Sequence, residues 1–307
     1  MLCPYCLKDT PKVATCLRCK EQLPSLYTQG YSVFNPPVVL SAVGFSGHGK
    51  TVYLAALLHT LQHRLPRAWP GFYRQGLDQN SIDTVKQNLG LLESGNLPES
   101  TRRNFPRPSL HLLDKLPKFN SRQLAIYDPP GEAFEDNLAM EKFASFVTLA
   151  KTVVFLVSVV DFYKSVADEL HRLMEVYSLG MNSIKANTRR QQQNLVVTFT
   201  KADLMINDHF FGKREEITKY LNAEHPNEIC DLKNYLARMQ FISRELADFT
   251  LNDIKAESFF NFSRSHFKKI NYCAVSALGT APEGNRLSEV MQPKRVIDPL
   301  LWVIRNS

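Results

Sequence analysis

Residues 44–51 read GFSGHGKT and set Gly44, Gly49, Lys50 and Thr51 at the spacing G-x-x-x-x-G-K-[ST]. In such a loop the backbone N–H groups wrap phosphate oxygens, the lysine reaches the terminal phosphates and the hydroxyl takes a place on Mg²⁺. Ser46, Gly47 and His48 fill the loop and are expected against the same phosphates. His48 reads first as a loop side chain with no catalytic part.

A second group of reactive side chains opens the chain. Cys3, Cys6, Cys16 and Cys19 occur as CPYC and CLRC. Each pair can put two thiolates on one ion, and two pairs complete the Cys₄ shell that structural zinc prefers. The alternatives are disulfides, disfavoured in a reducing compartment, and a redox CxxC, which needs no second copy. Four thiolates leave no open position, so the metal is expected to build a surface. Cys230 and Cys273 stand alone and read as buried side chains.

The phosphate loop needs a strand before it and a helix after it. Val38–Val43 (VVLSAV) is a short apolar run, and residues 51–65 have helical apolar spacing stopped by Pro66. Further buried-looking runs occur at 124–127, 153–159, 195–199 and 272–275, separated by helical stretches. That alternation predicts an α/β, three-layer P-loop fold with a mostly parallel sheet covered on both faces. Residues 109–116 and 122–128 flank PKFNS too closely for a helical crossover, which adds one antiparallel edge strand.

Strand ends then supply the remaining candidates. Asp128 closes LAIYD where strand becomes loop and is expected to join Thr51 on Mg²⁺. With Gly131 it forms D-x-x-G, in which glycine lets a backbone amide approach a γ-phosphate. Thr200-Lys201-Ala202-Asp203 follows LVVTF. A carboxylate there can accept both the ring N1–H and the exocyclic amine of guanine, a donor pair that adenine lacks. Lys201 would lie along the base.

These residues, with Ser276-Ala277-Leu278 after YCAV, resemble the P-loop GTPases of the Ras-like and translation-factor superfamily. GFSGHGKT, DPPG, TKAD and SAL occur in that superfamily's order, across residues 38–305. The resemblance implies a GTP/GDP- and Mg²⁺-binding switch, with threonine where TKAD relatives more often have asparagine. It implies that a backbone amide of Ser276-Ala277-Leu278 meets guanine O6. It also implies a switch threonine closing over Mg²⁺, for which Thr101 is the candidate and Ser100 the alternative. Glu132 occupies the place where many relatives keep a water-orienting glutamine, so slow turnover is expected, with Arg102, Arg103 or a partner offsetting charge. The cysteine head and enlarged loops look like bacterial conflict or signalling GTPases, including the double-GTPase group.

The 307-residue chain, 44% hydrophobic, suits one sizeable α/β domain with an appendage. The expected division is a zinc ribbon at 1–22, a linker at 23–37 and the GTPase domain at 38–307, with an enlarged switch I region and an insertion at about 205–270. The longest apolar run, 152–160, is too short to cross a bilayer, which points to the cytoplasm. A net charge of +7 permits a polyanion partner but reads first as solvated surface. Helices are expected at 81–94, 208–224, 239–253 and 296–305. Residues 259–269, FFNFSRSHFKK, read as a packed helix face with lysines in water, the alternative being single-stranded nucleic acid. The expected activity is a slow GTPase signalling to a partner protein. A GTP-regulated zinc-ribbon nucleic-acid binder and a non-hydrolysing scaffold are the alternatives.

Overall fold

The structure is a computed structural model. It describes residues 1–33, 37–98, 107–135, 137–158, 165–184, 193–207, 211, 214–223, 228–287 and 289–307. After the cysteine head, α1 (Ser25–Val33) leads to β1 (Val38–Val43), the phosphate loop and α2 (Lys50–His59). A π-helical turn, Thr60–Arg64, joins α2 to α3 (Leu65–Ala68), followed by β2 (Tyr73–Gly76), α4 (Gln79–Glu93), β3 (Ser109–Asp114) and β4 (Arg122–Tyr127). A 3₁₀ turn at Gly131–Phe134 precedes α5 (Asn137–Phe143), β5 (Thr152–Ser158), α6 (Val166–Ile184) and β6 (Asn194–Thr200). The chain closes with α7 (Ala202–Asn207), α8 (Glu215–Asn222), α9 (Leu232–Asn252), α10 (Glu257–His266), β7 (Ile270–Ala274) and α11 (Asp298–Arg305).

Among the described residues, the strands form one sheet in the order β2-β3-β4-β1-β5-β6-β7. β4, β1, β5, β6 and β7 are parallel, and β3 runs antiparallel to both its neighbours. The antiparallel strand anticipated at the edge therefore lies one place in, because β2 (YRQG) covers it. The parallel strands are β-branched and apolar on both faces because both faces are covered. Val39, Val43, Val153, Phe155, Val157, Leu195, Val197 and Phe199 pack into one core, and Leu40, Ala42, Val154, Leu156 and Val196 into the other. The first core is closed by α1, α5, α6 and α10, the second by α2, α4 and α11. Helix α9 serves both, with Tyr235 and Met239 in the second core and Ile242, Leu246 and Phe249 in the first.

The stretch expected as a linker contains a helix. Tyr27 of α1 is fully buried, and the side-chain amide of Gln123 donates to the carbonyls of Leu26 and Tyr27, at 3.2 and 3.1 Å. Tyr27 and Tyr31, one helical turn apart, meet edge to face at 5.8 Å. One such pair is too short a signal to reveal a helical period in sequence. Phe259 and Phe267 are buried, so the aromatic-basic stretch keeps these two rings for its own core. Cys273 is buried as anticipated, whereas Cys230 is exposed, at the end of the short Glu228–Cys230 turn. No described helix is long and apolar enough to cross a membrane.

Candidate functional site

The carboxyl ends of β1, β4, β6 and β7 converge on the loops that carry the candidate residues. Between β1 and α2 the chain turns at Gly47 and Gly49, with φ of 82° and 77°, a left-handed conformation that glycine adopts without strain. Gly44 sits so close to β5 that a Cβ there would lie 2.5 Å from the Leu156 carbonyl oxygen. That same carbonyl is 2.9 Å from Nδ1 of the buried His48. Its ring meets Phe45 edge to face, and the Arg172 guanidinium of α6 lies 4.8 Å from the Phe45 ring centre.

Lys50 begins α2, and its ammonium donates to the carbonyls of Gly44 and Phe45, at 2.8 and 2.9 Å. The side chain is buried, and this desolvation lowers its pKa to about 8 against the opposing pull of Asp128 and Glu132. Those two carboxylates are therefore within electrostatic reach of the loop lysine. Asp128 follows β4, whose Tyr127 pairs with Ser41 of β1, and so it emerges beside the phosphate loop. Gly131 completes the approach: a Cβ there would lie 2.5 Å from both the nitrogen and Cα of Ser46. Thr51 and Asp128 supply hard oxygen donors of the kind Mg²⁺ takes.

The second half of the site is tied to the first. The Thr200 hydroxyl donates to the His48 carbonyl at 3.1 Å. Lys201 has φ of 57°, and Ala202 N–H donates to the Val275 carbonyl, which sets α7 beside the end of β7. Asp203, almost fully buried, accepts from the Ser276 hydroxyl at 2.5 Å, and that hydroxyl accepts from Gly279 N–H at 2.8 Å. Ser276 also pairs with Lys294 through both backbone bonds, while Leu278 packs with Ala55 of α2 and Leu92 of α4. Thr101, with Ser100, Arg102 and Arg103, lies outside the described residues. Leu156 was not legible as a site residue because its backbone carbonyl, not its side chain, does the work. Arg172 carries no motif that would have marked it.

The cysteine head is two copies of one turn. Leu7 N–H donates to Cys3 O and Lys20 N–H to Cys16 O, both at 3.0 Å, with φ of 60° and 63° at Leu7 and Lys20. The four sulfurs lie within 4.8 Å of one another, with Cys3–Cys19 and Cys6–Cys16 at 3.7 Å. A tetrahedral zinc with bonds of about 2.3 Å requires sulfur separations of about 3.8 Å, so the four residues fit that ion. Backbone N–H groups of Cys19 and Arg18 hold the Cys16 thiol down at about 6, while burial pushes Cys3 up. The head is docked on the domain. Tyr5 donates to Asp78 at 3.0 Å, Tyr27 to Leu2 O at 2.9 Å, and Arg107 covers the Tyr5 ring at 4.7 Å.

Residues 38–240 match the family described as Double-GTPase 2. No curated protein matches the chain. Among solved structures, similarity extends to a GTP-binding protein of the archaeon Sulfolobus solfataricus in complex with GDP, at 10% identity over 78% of this chain and 47% of that one, TM-score 0.33. The mammalian SRP receptor aligns at 14% identity over 88% and 100%, TM-score 0.39. The S. cerevisiae Ski7 GTPase-like domain bound to GTP aligns at 16% identity over 88% and 50%, TM-score 0.35. The chain spans about half the length of the first and third of these.

Proposed function

The chain belongs to the Double-GTPase 2 family, and from that membership we propose that it is a GTP-binding switch that hydrolyses GTP slowly and signals to a partner protein. Lys50 and the loop amides would bind the phosphates, and Thr51 and Asp128 would hold Mg²⁺, which would supply neutralisation of phosphate charge. Asp203 accepts from guanine N1–H and the exocyclic amine, Lys201 flanks the base, and the backbone of Ser276-Ala277-Leu278 faces O6. Thr101 would be the switch threonine on that ion. Glu132 offers water a carboxylate where repulsion from the γ-phosphate opposes attack, which keeps intrinsic turnover slow. The contact between Gly131 and Ser46 loosens when the γ-phosphate leaves, and the zinc-bearing head presents the change to the partner.

The observation that supports this reading most is the bond from Thr200 to His48 O, 3.1 Å long, because the end of β6 that carries TKAD is then one hydrogen bond from the GFSGHGKT loop. Calorimetric titration of the full chain with GTP, GDP, ATP and xanthosine triphosphate, repeated with Asp203→Asn, tests it. Guanine nucleotides should bind in preference to ATP, and the variant should lose GTP affinity while gaining affinity for xanthine nucleotides. Indifference to the substitution would overturn the assignment of the base reader.

A further inference from the structure

The far end of α2 carries a group of side chains that the nucleotide site does not use. His59 and His63 stand one turn apart, His59 about 14 Å along the helix from Lys50 at 1.5 Å per residue. Glu93, the last residue of α4, faces them. One ligand atom from each of the three lies within 4.8 Å of the others. The imidazole centres are 4.9 Å apart, and His63 Nε2 is 3.7 Å from the Glu93 carboxylate.

Two further observations single this group out. His59 Nδ1 and His63 Nε2 are shielded from solvent without a hydrogen-bond partner among the described residues. A shielded ring nitrogen left in that condition costs free energy unless something engages it. The helix is also not α-helical here. Thr60–Arg64 form the π turn, and Leu65 N–H reaches back to Thr60 O. Such turns widen a helix locally and recur at functional sites. Arg64, the cation next in the chain, donates to the Pro293 carbonyl.

The geometry points to a second metal centre, formed by His59, His63 and Glu93, that takes Zn²⁺ or a similar first-row divalent cation. Two imidazoles and one carboxylate are ligands that zinc accepts, and three of them leave a fourth position for water or an exogenous donor. Bonds of about 2.05 Å imply ligand separations of about 3.4 Å in a tetrahedron, so the 3.7 Å between His63 and Glu93 needs little adjustment. The ion would join the end of α2, whose beginning is the phosphate loop, to the end of α4, whose Asp78 cap meets Tyr5 of the cysteine head. The site shares no residue with the cysteine cluster.

Calorimetric titration of the full chain with Zn²⁺, after any tighter site is saturated, tests the assignment. Wild type should bind one further equivalent, Glu93→Gln should bind it at least tenfold more weakly, and the double variant His59→Asn/His63→Asn should lose it. His171→Asn, which removes the exposed His171–Glu175 pair, should leave it unchanged. Absence of the further equivalent in wild type, or its retention in the double variant, overturns the proposal. Should the double variant fail to fold, Glu93→Gln decides, because Glu93 is exposed at a helix end and an unchanged affinity there refutes the centre.

Discussion

The phenol of Tyr127 donates to the carbonyl of Pro4 across 2.7 Å. Tyr127 ends the strand that delivers Asp128, and Pro4 lies inside the first cysteine knuckle, so one buried bond joins the cysteine head to the D-x-x-G loop. The ring is further fixed by stacking on Phe146 at 4.5 Å. The head is thus part of the same packed structure as the nucleotide loops. The Asp128–Gly131 segment is therefore separated from the first cysteine knuckle by one residue and one hydrogen bond.

Removing that hydroxyl isolates the bond from the packing. Tyr127→Phe keeps the stacked ring but leaves the Pro4 carbonyl buried without its donor. The expected cost is about 1–2 kcal/mol, read as a lower denaturation midpoint with an unchanged slope. The same variant should release zinc faster to a chelator, because the knuckle loses its anchor. Equal stability and equal release would show that the other ties of the head, such as Tyr5 to Asp78, Tyr27 to Leu2 O and Leu2 N–H to Tyr31, hold it without this bond.

Much of the site was legible because its residue types are forced by chemistry. Gly49 at φ 77° and Lys50 at the start of α2 lie where the G-x-x-x-x-G-K-[ST] spacing puts a turn and a helix start, and doubly buried strands such as β5 and β6 announce themselves as short, mostly apolar, β-branched runs. What escaped lacks such a local signature. The edge strand β2 is four residues, YRQG, partly open to solvent, and α1 shows only one aromatic pair. Long-range polar contacts are equally silent. Asp298 accepts from Tyr235 and Tyr220, which lie 63 and 78 residues away in the chain, and the fully buried Arg295 is held against Tyr220 and Glu228. Each residue alone reads as ordinary surface chemistry, and only the packing of α8, α9 and α11 reveals them as one core network.

Gly131 gives a sharper test of the switch geometry. An alanine Cβ would lie 2.5 Å from Ser46 backbone atoms, which cannot swing aside as a flexible side chain does. The D-x-x-G loop or the phosphate loop must then shift, at about 1–3 kcal/mol for overpacking of this kind. Gly131→Ala should accordingly weaken GTP binding by about tenfold or more. Calorimetry of the variant against wild type reads this directly, and an unchanged affinity would show that the two loops need not touch in the nucleotide-bound protein.

Lys50 predicts a dependence on pH. Its folded pKa is lowered to about 8 from the ordinary 10.5, chiefly by desolvation. Between those values the unfolded chain binds the proton that the folded chain has given up, so this group's contribution to stability rises with pH across the window and is least favourable below it. In nucleotide-free protein Lys50→Met removes the buried charge and should be at least as stable as wild type at neutral pH. Its relative advantage should then shrink by up to about 3 kcal/mol on the way to pH 10.5. Bound phosphates reverse the balance, because an adjacent anion favours the charged ammonium. GTP binding at about pH 9 should therefore take up part of a proton, and binding at neutral pH should take up much less from this group. Calorimetry in buffers of different ionisation enthalpy measures that uptake, and its absence at the higher pH would show that Lys50 is already charged in the free protein.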